Sequence, residues 1–182
     1  TALRTPYGVE LHMVDTALQM HDAVFDVVAL ADVLVMSAAV ADFRPAAPAA
    51  QKMKKGGGKL PGEDEQGVFP LYLVQNPDIL GDLAVAAHEY EGQGGLSRLI
   101  RVGFAAETND LVTNAQAKLK QKRLDLLVAN DITRPDSGFA VDTNKVHIFH
   151  ATGTMEELPV MSKTGVAAAI WDRVVSLLGS SS

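Results

Sequence analysis

Apolar residues along this 182-residue chain follow two patterns: short continuous runs, and longer segments in which they recur every three or four positions. Continuous runs bounded by turn residues are typical of buried strands, and the wider spacing predicts amphipathic helices. The predicted strands span residues 9–14, 33–40, 68–74, 100–104, 124–129 and 145–150. The predicted helices span residues 17–30, 77–88, 109–122 and 162–178, the first with Thr16 as its N-cap.

The alternation of strands and helices predicts a single α/β domain of three layers, with a Rossmann-like, doubly wound and mostly parallel sheet between helices. Segment 43–67 has neither periodicity and is rich in proline, glycine and charge, so we expect a long mobile flap there. Ligands of doubly wound sheets bind at the carboxyl ends of the strands. A binding site is therefore expected after residues 40, 74 and 104.

Composition narrows the function classes. The formal net charge is −6 and there is no cysteine. An acidic chain is not a general nucleic-acid binder, so any basic patch must be local. The absence of cysteine excludes disulfides, thiolate zinc sites and cysteine nucleophiles. Because no apolar run reaches the roughly 18 residues of a membrane-spanning helix, we expect no membrane segment and a cytoplasmic protein.

Positive charge concentrates in the predicted flap, where the basic residues are Arg44, Lys52, Lys54, Lys55 and Lys59. Ammonium groups on a glycine-containing loop suit a triphosphate, whose charge needs several donors, although a solvated loop is the alternative. The one acid between residues 41 and 62 is Asp42, at a strand end. It suits a hydrogen bond from a ligand hydroxyl or amino group, contact with magnesium, or a turn cap.

Three further features suit a ligand and also have a structural interpretation. Segment 76–78, Asn-Pro-Asp, predicts a helix start, whose free N–H groups can also receive a ligand oxygen or ring edge. Phe104 precedes two alanines, which leaves room for a flat ligand to stack on a ring that could equally be core. Lys118 and Lys122 share one helix face while Lys120 points elsewhere, which favours either an anion between the pair or simple solvation.

Several site types lack their signatures. The sequence contains no G-x-G-x-x-G, P-loop, G-x-S-x-G or H-E-x-x-H motif. His147 and His150 are three apart on a predicted strand, so they face opposite sides and make a poor metal pair. Dinucleotide oxidoreductase, hydrolase and zinc-enzyme interpretations are therefore disfavoured.

Six segments occur in an order that is more specific than any one of them. They are AAVADFRP at 38–45, QKMKK at 51–55, NPDIL at 76–80, VGFAAET at 102–108, the AxxKLxxK spacing that ends at Lys122, and LDLLVAND at 124–131. Together they resemble the phosphopantothenoylcysteine synthetase family, the ligases of coenzyme A biosynthesis.

The resemblance implies a CTP-dependent ligation in two steps. The carboxylate of 4′-phosphopantothenate becomes an acyl-cytidylate with release of pyrophosphate, and the amine of cysteine then displaces CMP. It also implies Mg2+ with the nucleotide, a homodimer, and often a fused decarboxylase domain. The same ligation with ATP, and a non-catalytic nucleotide-binding or dimerisation module, are the alternatives.

The resemblance also implies roles for individual residues. Lys52 is the catalytic lysine of the flap, and Lys54 and Lys55 add supporting charge. Asn130 lies near the site without an assigned role, and the metal ligands are unassigned, with Asp42 as the candidate. The residues implied in nucleotide binding are Met36, Ser37, Ala38, Ala39, Asp42, Pro77, Asp78, Ile79, Leu80, Phe104, Lys118 and Lys122.

One motif of the family does not occur in this sequence. Family members carry an SNxSSG segment after a first strand and a glycine-rich turn, and that segment holds the acyl intermediate and phosphates. We therefore predict that these 182 residues do not include this N-terminal strand and glycine-rich loop. We therefore expect weakened nucleotide binding and poor turnover from these residues alone.

Overall fold

The computed structural model describes residues 4–47, 68, 70–89, 99–107, 111–131 and 143–180. The helices are α1 Ala17–Val28, α2 Ile79–Glu89, α3 Leu111–Gln121 and α4 Lys163–Ser180. The strands are β1 Val33–Met36, β2 Phe43–Pro45, β3 Leu73–Gln75, β4 Ile100–Glu107, β5 Leu126–Asp131, β6 Thr143–Asn144, β7 Val146–His150, β8 Met155–Glu157 and β9 Met161–Ser162.

The main sheet has five strands in the order β1-β4-β5-β7-β8. Strands β1, β4 and β5 pair in parallel, and β7 and β8 extend the sheet in antiparallel pairings. Two short antiparallel pairs, β2 with β3 and β6 with β9, stand apart from it. The α/β fold that the alternation of strands and helices predicts is confirmed. That alternation did not predict the antiparallel edge of the sheet, which is formed by β7 and β8.

Helices cover both faces of the main sheet because its central strands are apolar on both sides. Six side chains of β4, β5 and β7 are 0% exposed: Val102, Leu126, Val128, Val146 and Ile148 on one face and Ala129 on the other. On one face α4 packs Val166, Ile170 and Val174 against this core. On the other face α3 contributes Ala115 and Leu119, and α1 and α2 contribute Val28 and Leu83 beside Met36.

The caps of the first two helices differ in how well the sequence predicted them. Thr16 caps α1 in a capping box, in which its hydroxyl accepts from the Gln19 amide and the Gln19 side chain accepts from Thr16. Helix α2 was expected to begin at Pro77 after an Asn76 cap, but it begins at Ile79. The capping side chain is Asp78, whose Oδ1 accepts from the Gly81 amide at 3.1 Å.

Three strand predictions are corrected. Residues 9–14 form no strand, because no described strand offers them backbone partners. The run 33–40 is a strand only to Met36, beyond which the backbone leaves the ladder with β4. The run 68–74 forms a strand only at Leu73–Gln75, because its partner is the three-residue β2. Strand β2, Phe43–Pro45, lies at the start of segment 43–67, which was predicted to be a flap without strands. Residues 48–67 of that segment fall outside the described part of the chain.

Helix α4 is tied to the antiparallel edge by a carboxylate with two partners. Glu156 on β8 accepts from Arg173 Nη2 at 2.6 Å, and its other oxygen lies 2.6 Å from His150 Nε2. The hydrogen bond from Arg173 holds the pKa of Glu156 below its ordinary value of 4.5, outweighing partial burial. Ionised Glu156 therefore stabilises the folded state above pH 4.5, and this contribution to the free energy of unfolding is lost as the pH falls through the lower pKa that Glu156 has in the folded state.

None of the helices in the described part of the chain is both long enough and apolar enough to span a membrane.

Candidate functional site

A cavity of about 470 Å³ opens where the chain leaves β1, beside the middle of β4. Its walls come from four separate parts of the chain: the segment after β1, the segment that starts α2, two residues of β4, and two lysines at the end of α3. The lining residues are Met36, Ala38, Ala39, Val40, Ala41, Asp42, Asn76, Pro77, Asp78, Ile79, Leu80, Phe104, Ala105, Lys118 and Lys122. The cavity thus lies at the edge of the sheet where doubly wound folds bind ligands.

The structure brings most of the predicted nucleotide-binding residues into this one cavity. Ser37 belongs to the same segment but does not line the cavity. The flap residues Lys52, Lys54 and Lys55 lie outside the described residues, so their roles remain predictions. Four lining residues were not predicted: Val40, Ala41, Asn76 and Ala105.

The register of the sheet explains why the cavity forms at this point. Met36 at the end of β1 lies beside Gly103 of β4, so the chain leaves β1 next to Phe104. A Cβ atom on Gly103 would lie 2.6 Å from a methyl group of Leu124, so any larger residue here would force that buried side chain to shift. Phe104 is half-buried and packs against the α4 core while it also lines the cavity. The core and ligand interpretations of this ring are therefore compatible.

Hydrogen bonds to Asn76 connect two walls of the cavity. The Asn76 side chain donates from Nδ2 to the Ala41 carbonyl at 2.8 Å, and its backbone N–H donates to the Asp42 carbonyl at 2.8 Å. The segment after β1 is therefore fixed against the residue that precedes α2. The Asn-Pro pair predicted only a helix start here, and no local signal identified the partner 35 residues away.

Positive and negative groups alternate around the cavity. Lys122 Nζ lies 3.0 Å from Asp78 Oδ1, and the two side chains are 26% and 50% exposed. The Asp42 carboxylate has no hydrogen bond or ion pair in the described part of the structure. An arriving anion can recruit Lys118 and Lys122 from α3, and Asp42 can accept a hydrogen bond from a hydroxyl or amino group.

The described residues contain no group of three or more histidine or acidic side chains that could hold a metal ion. Two carboxylates line the cavity, Asp42 and Asp78, and Asp78 is paired with Lys122. Magnesium in nucleotide enzymes is commonly bound by one or two carboxylates together with substrate phosphates. The residues present fit that arrangement and do not fit a cage built from protein ligands alone.

Asn130 lies at the carboxyl end of β5, where it is paired with Ala106 of β4. Its Oδ1 atom is buried and has no hydrogen-bond partner among the residues that the structure describes. The side chain does not line the cavity.

A doubly wound α/β sheet with a partly cationic cavity at its carboxyl edge is typical of domains that bind small anionic molecules. The chain belongs to the family described as the DNA/pantothenate metabolism flavoprotein C-terminal domain, whose sequence profile matches residues 1–178. The family resemblance drawn from the six ordered segments is thereby confirmed.

Curated relatives support the same membership. The chain is 42% identical over 182 residues to the "Coenzyme A biosynthesis bifunctional protein CoaBC" of Mycobacterium tuberculosis (strain H37Rv), covering 97% of the chain and 40% of that protein. It is 38% identical over 177 residues to the protein of the same name from Bacillus subtilis (strain 168), covering 97% and 39%. The chain thus spans about two fifths of the length of these relatives.

Solved structures share the fold. The C-terminal domain of a CoaBC protein superposes with a TM-score of 0.72 at 28% identity, covering 98% of this chain and 71% of that one. A Cab2 H337A mutant, solved in complex with phosphopantothenate-cysteine, superposes with a TM-score of 0.61 at 16% identity, covering 92% and 53%. The second likeness concerns the fold alone.

The placement of the lysines on α3 gives a direct test. Lys118→Gln and Lys122→Gln should each weaken binding of inorganic pyrophosphate about five- to tenfold, because each removes a charged donor from the cavity. Lys120→Gln is the matched control, since Lys120 lines a different, smaller cavity on the other flank of α3. Titration calorimetry measures all three. An equal loss of pyrophosphate affinity in all three variants would show that binding depends on the net charge of the protein and not on the position of these lysines.

Proposed function

We propose that this domain ligates 4′-phosphopantothenate to cysteine with CTP, through an acyl-cytidylate, in coenzyme A biosynthesis. The observation that carries the proposal is the convergence of separate family segments on one cavity: residues 38–42, residues 76–80, Phe104, and the α3 lysines. The relatives named as coenzyme A biosynthesis proteins support the same pathway. Use of CTP rather than ATP is the part that rests on the resemblance alone.

The proposed reaction has two balanced steps. A carboxylate oxygen of phosphopantothenate attacks the α-phosphorus of CTP, and the bond to the β-phosphate oxygen breaks to release pyrophosphate. The amine of cysteine then attacks the acyl carbon, loses a proton, and expels CMP to leave the amide. A carboxylate is a poor electrophile at neutral pH, and cytidylation supplies the leaving group that amide formation needs.

The residues of the cavity would act by positioning and by charge. Asp42 would accept hydrogen bonds from the nucleoside, the start of α2 would offer backbone N–H groups, and Phe104 would pack against the ligand. Lys118 and Lys122 would stabilise the phosphate charge that develops as pyrophosphate leaves. Magnesium would neutralise phosphate charge when bound, with Asp42 as the candidate carboxylate, since Asp78 is paired with Lys122.

Lys52 is proposed as the catalytic lysine of the flap, with Lys54 and Lys55 adding charge around it. A cation that reaches the phosphates only in the closed complex would stabilise the transition state more than the free enzyme. A decarboxylase domain elsewhere in the protein is proposed in line with the relatives called bifunctional.

A homodimer is also proposed. The β2–β3 pair stands apart from the main sheet and exposes apolar side chains on it and beside it: Phe43, Leu71, Tyr72 and Leu73, each at least 52% exposed. Apolar surface grouped in this way is typical of protein–protein contact sites. The cavity begins next to Phe43, so a contact there would bring a second subunit close to the site.

Pyrophosphate release tests the ligase in the complete natural protein. With CTP, magnesium and phosphopantothenate, Lys52→Gln should lower the rate at least about a hundredfold, because it removes a charge aimed at the transition state. Lys59→Gln, from the same basic segment, is the control and should change the rate only a fewfold. A wild-type rate in Lys52→Gln would identify the segment as a solvated loop, and nucleotide binding without any release would favour the non-catalytic module.

Sedimentation equilibrium tests the dimer. The chain should sediment at about twice its mass of 19.3 kDa. Tyr72→Glu should shift it toward the monomer, because it places a charge in the apolar contact. Tyr7→Glu is the matched control, since Tyr7 is fully exposed in the segment before α1. A wild-type chain that stays monomeric at tens of micromolar would contradict the proposal.

A further inference from the structure

Arg44 lies in β2, outside the cavity, yet its side chain is bonded to a residue that lines the cavity. Its Nη1 atom donates to the Gln75 carbonyl at 2.6 Å and to Asn76 Oδ1 at 3.1 Å. Asn76 in turn donates from Nδ2 to the Ala41 carbonyl at 2.8 Å. A continuous chain of hydrogen bonds therefore runs from the guanidinium group to the segment that presents Asp42.

The chemistry of these groups fixes the direction of the chain. A guanidinium group can only donate, so the side of the Asn76 amide that faces Arg44 must be its oxygen. The amide nitrogen is then turned toward Ala41, whose carbonyl can only accept. A flipped amide would set its oxygen against the Ala41 carbonyl and its NH2 group against the guanidinium, so Ala41 and Arg44 together hold the amide in one orientation.

We propose that Arg44 is a positioning residue for the nucleoside end of the site, acting through the amide of Asn76 on residues 41–42. The inference rests on the proposed function, because it assumes that Asp42 contacts the nucleoside. Lys118 and Lys122 are attached to α3 and have no part in this hydrogen-bond chain. Loss of Arg44 should therefore disturb nucleoside binding and spare the phosphate end.

Two ligands separate these ends of the site. In Arg44→Met the dissociation constant for CMP should rise about tenfold, and that for inorganic pyrophosphate should change less than about twofold. Arg44→Lys keeps a cationic donor, and both Arg44 bonds come from one nitrogen, so it should restore most of the CMP affinity. An arginine that only stabilised the β2–β3 pair would alter both ligands together.

Asn76→Asp provides a second variant with a different prediction for stability. A carboxylate keeps an ion pair with Arg44 but cannot donate to Ala41, so CMP binding should weaken as in Arg44→Met, while the ion pair should make the fall in melting temperature smaller than in Arg44→Met. This variant and Arg44→Lys carry the test if Arg44→Met fails to fold. Unchanged CMP binding in both Arg44→Met and Asn76→Asp, or equal loss of CMP and pyrophosphate, would overturn the proposal.

Hydrogen exchange distinguishes this failure from failure of the proposed function. If the wild-type chain binds pyrophosphate but not CMP, the nucleoside assignment fails while the positioning role is still measurable. Backbone amides in the segment around Ala41 and Asp42 should then exchange faster in Arg44→Met than in the wild type, because the Asn76 side chain, one of the two groups of Asn76 that hold the segment, has lost its support. Equal exchange rates would overturn the role of Arg44 whatever the ligand is.

Discussion

The parallel pairing of β1 with β4 is the constraint on which the rest of the site depends. It sets Met36, the last residue of β1, level with Gly103, so that the chain leaves β1 beside Phe104 and Ala105 while β4 continues to Glu107. The segment after β1 then meets the start of α2, and Asn76 holds the two together through its side chain and its backbone N–H. A shift of one residue in this register would move Phe104 to the other face and separate the walls of the cavity.

Charge in this protein is organised locally rather than globally. The chain has a formal net charge of −6, yet two lysines on one flank of α3 face the cavity. Lys122 is paired with Asp78, which also caps α2 through the Gly81 amide. Asp78 therefore links helix formation to the charge of the site. An anion that enters must compete with Asp78 for the ammonium group, which disfavours weakly charged ligands.

The sequence predicted those parts of the fold and the site that depend on local patterns. The apolar runs of β4 and β5 and the spacing of α4 gave the right elements, and the four-residue interval placed Lys118 and Lys122 on one face. The pattern of apolar residues did not predict the strands whose extent depends on pairing with another strand. Residues 9–14 have strand-like composition without a described partner, and β3 is limited by the length of β2. The hydrogen bonds that Asn76 makes with Ala41 and Arg44 were not predicted, because these partners are distant in sequence.

The central claim is that the cavity at the end of β1, beside Phe104 of β4, binds a cytidine nucleotide. Thermal unfolding with magnesium and saturating CTP, ATP or NAD tests it most directly, since a ligand that binds only the folded state raises the melting temperature with its affinity. The account predicts the largest rise with CTP, a smaller one with ATP and none with NAD. Equal shifts with all three nucleotides, or a preference for NAD, would contradict it.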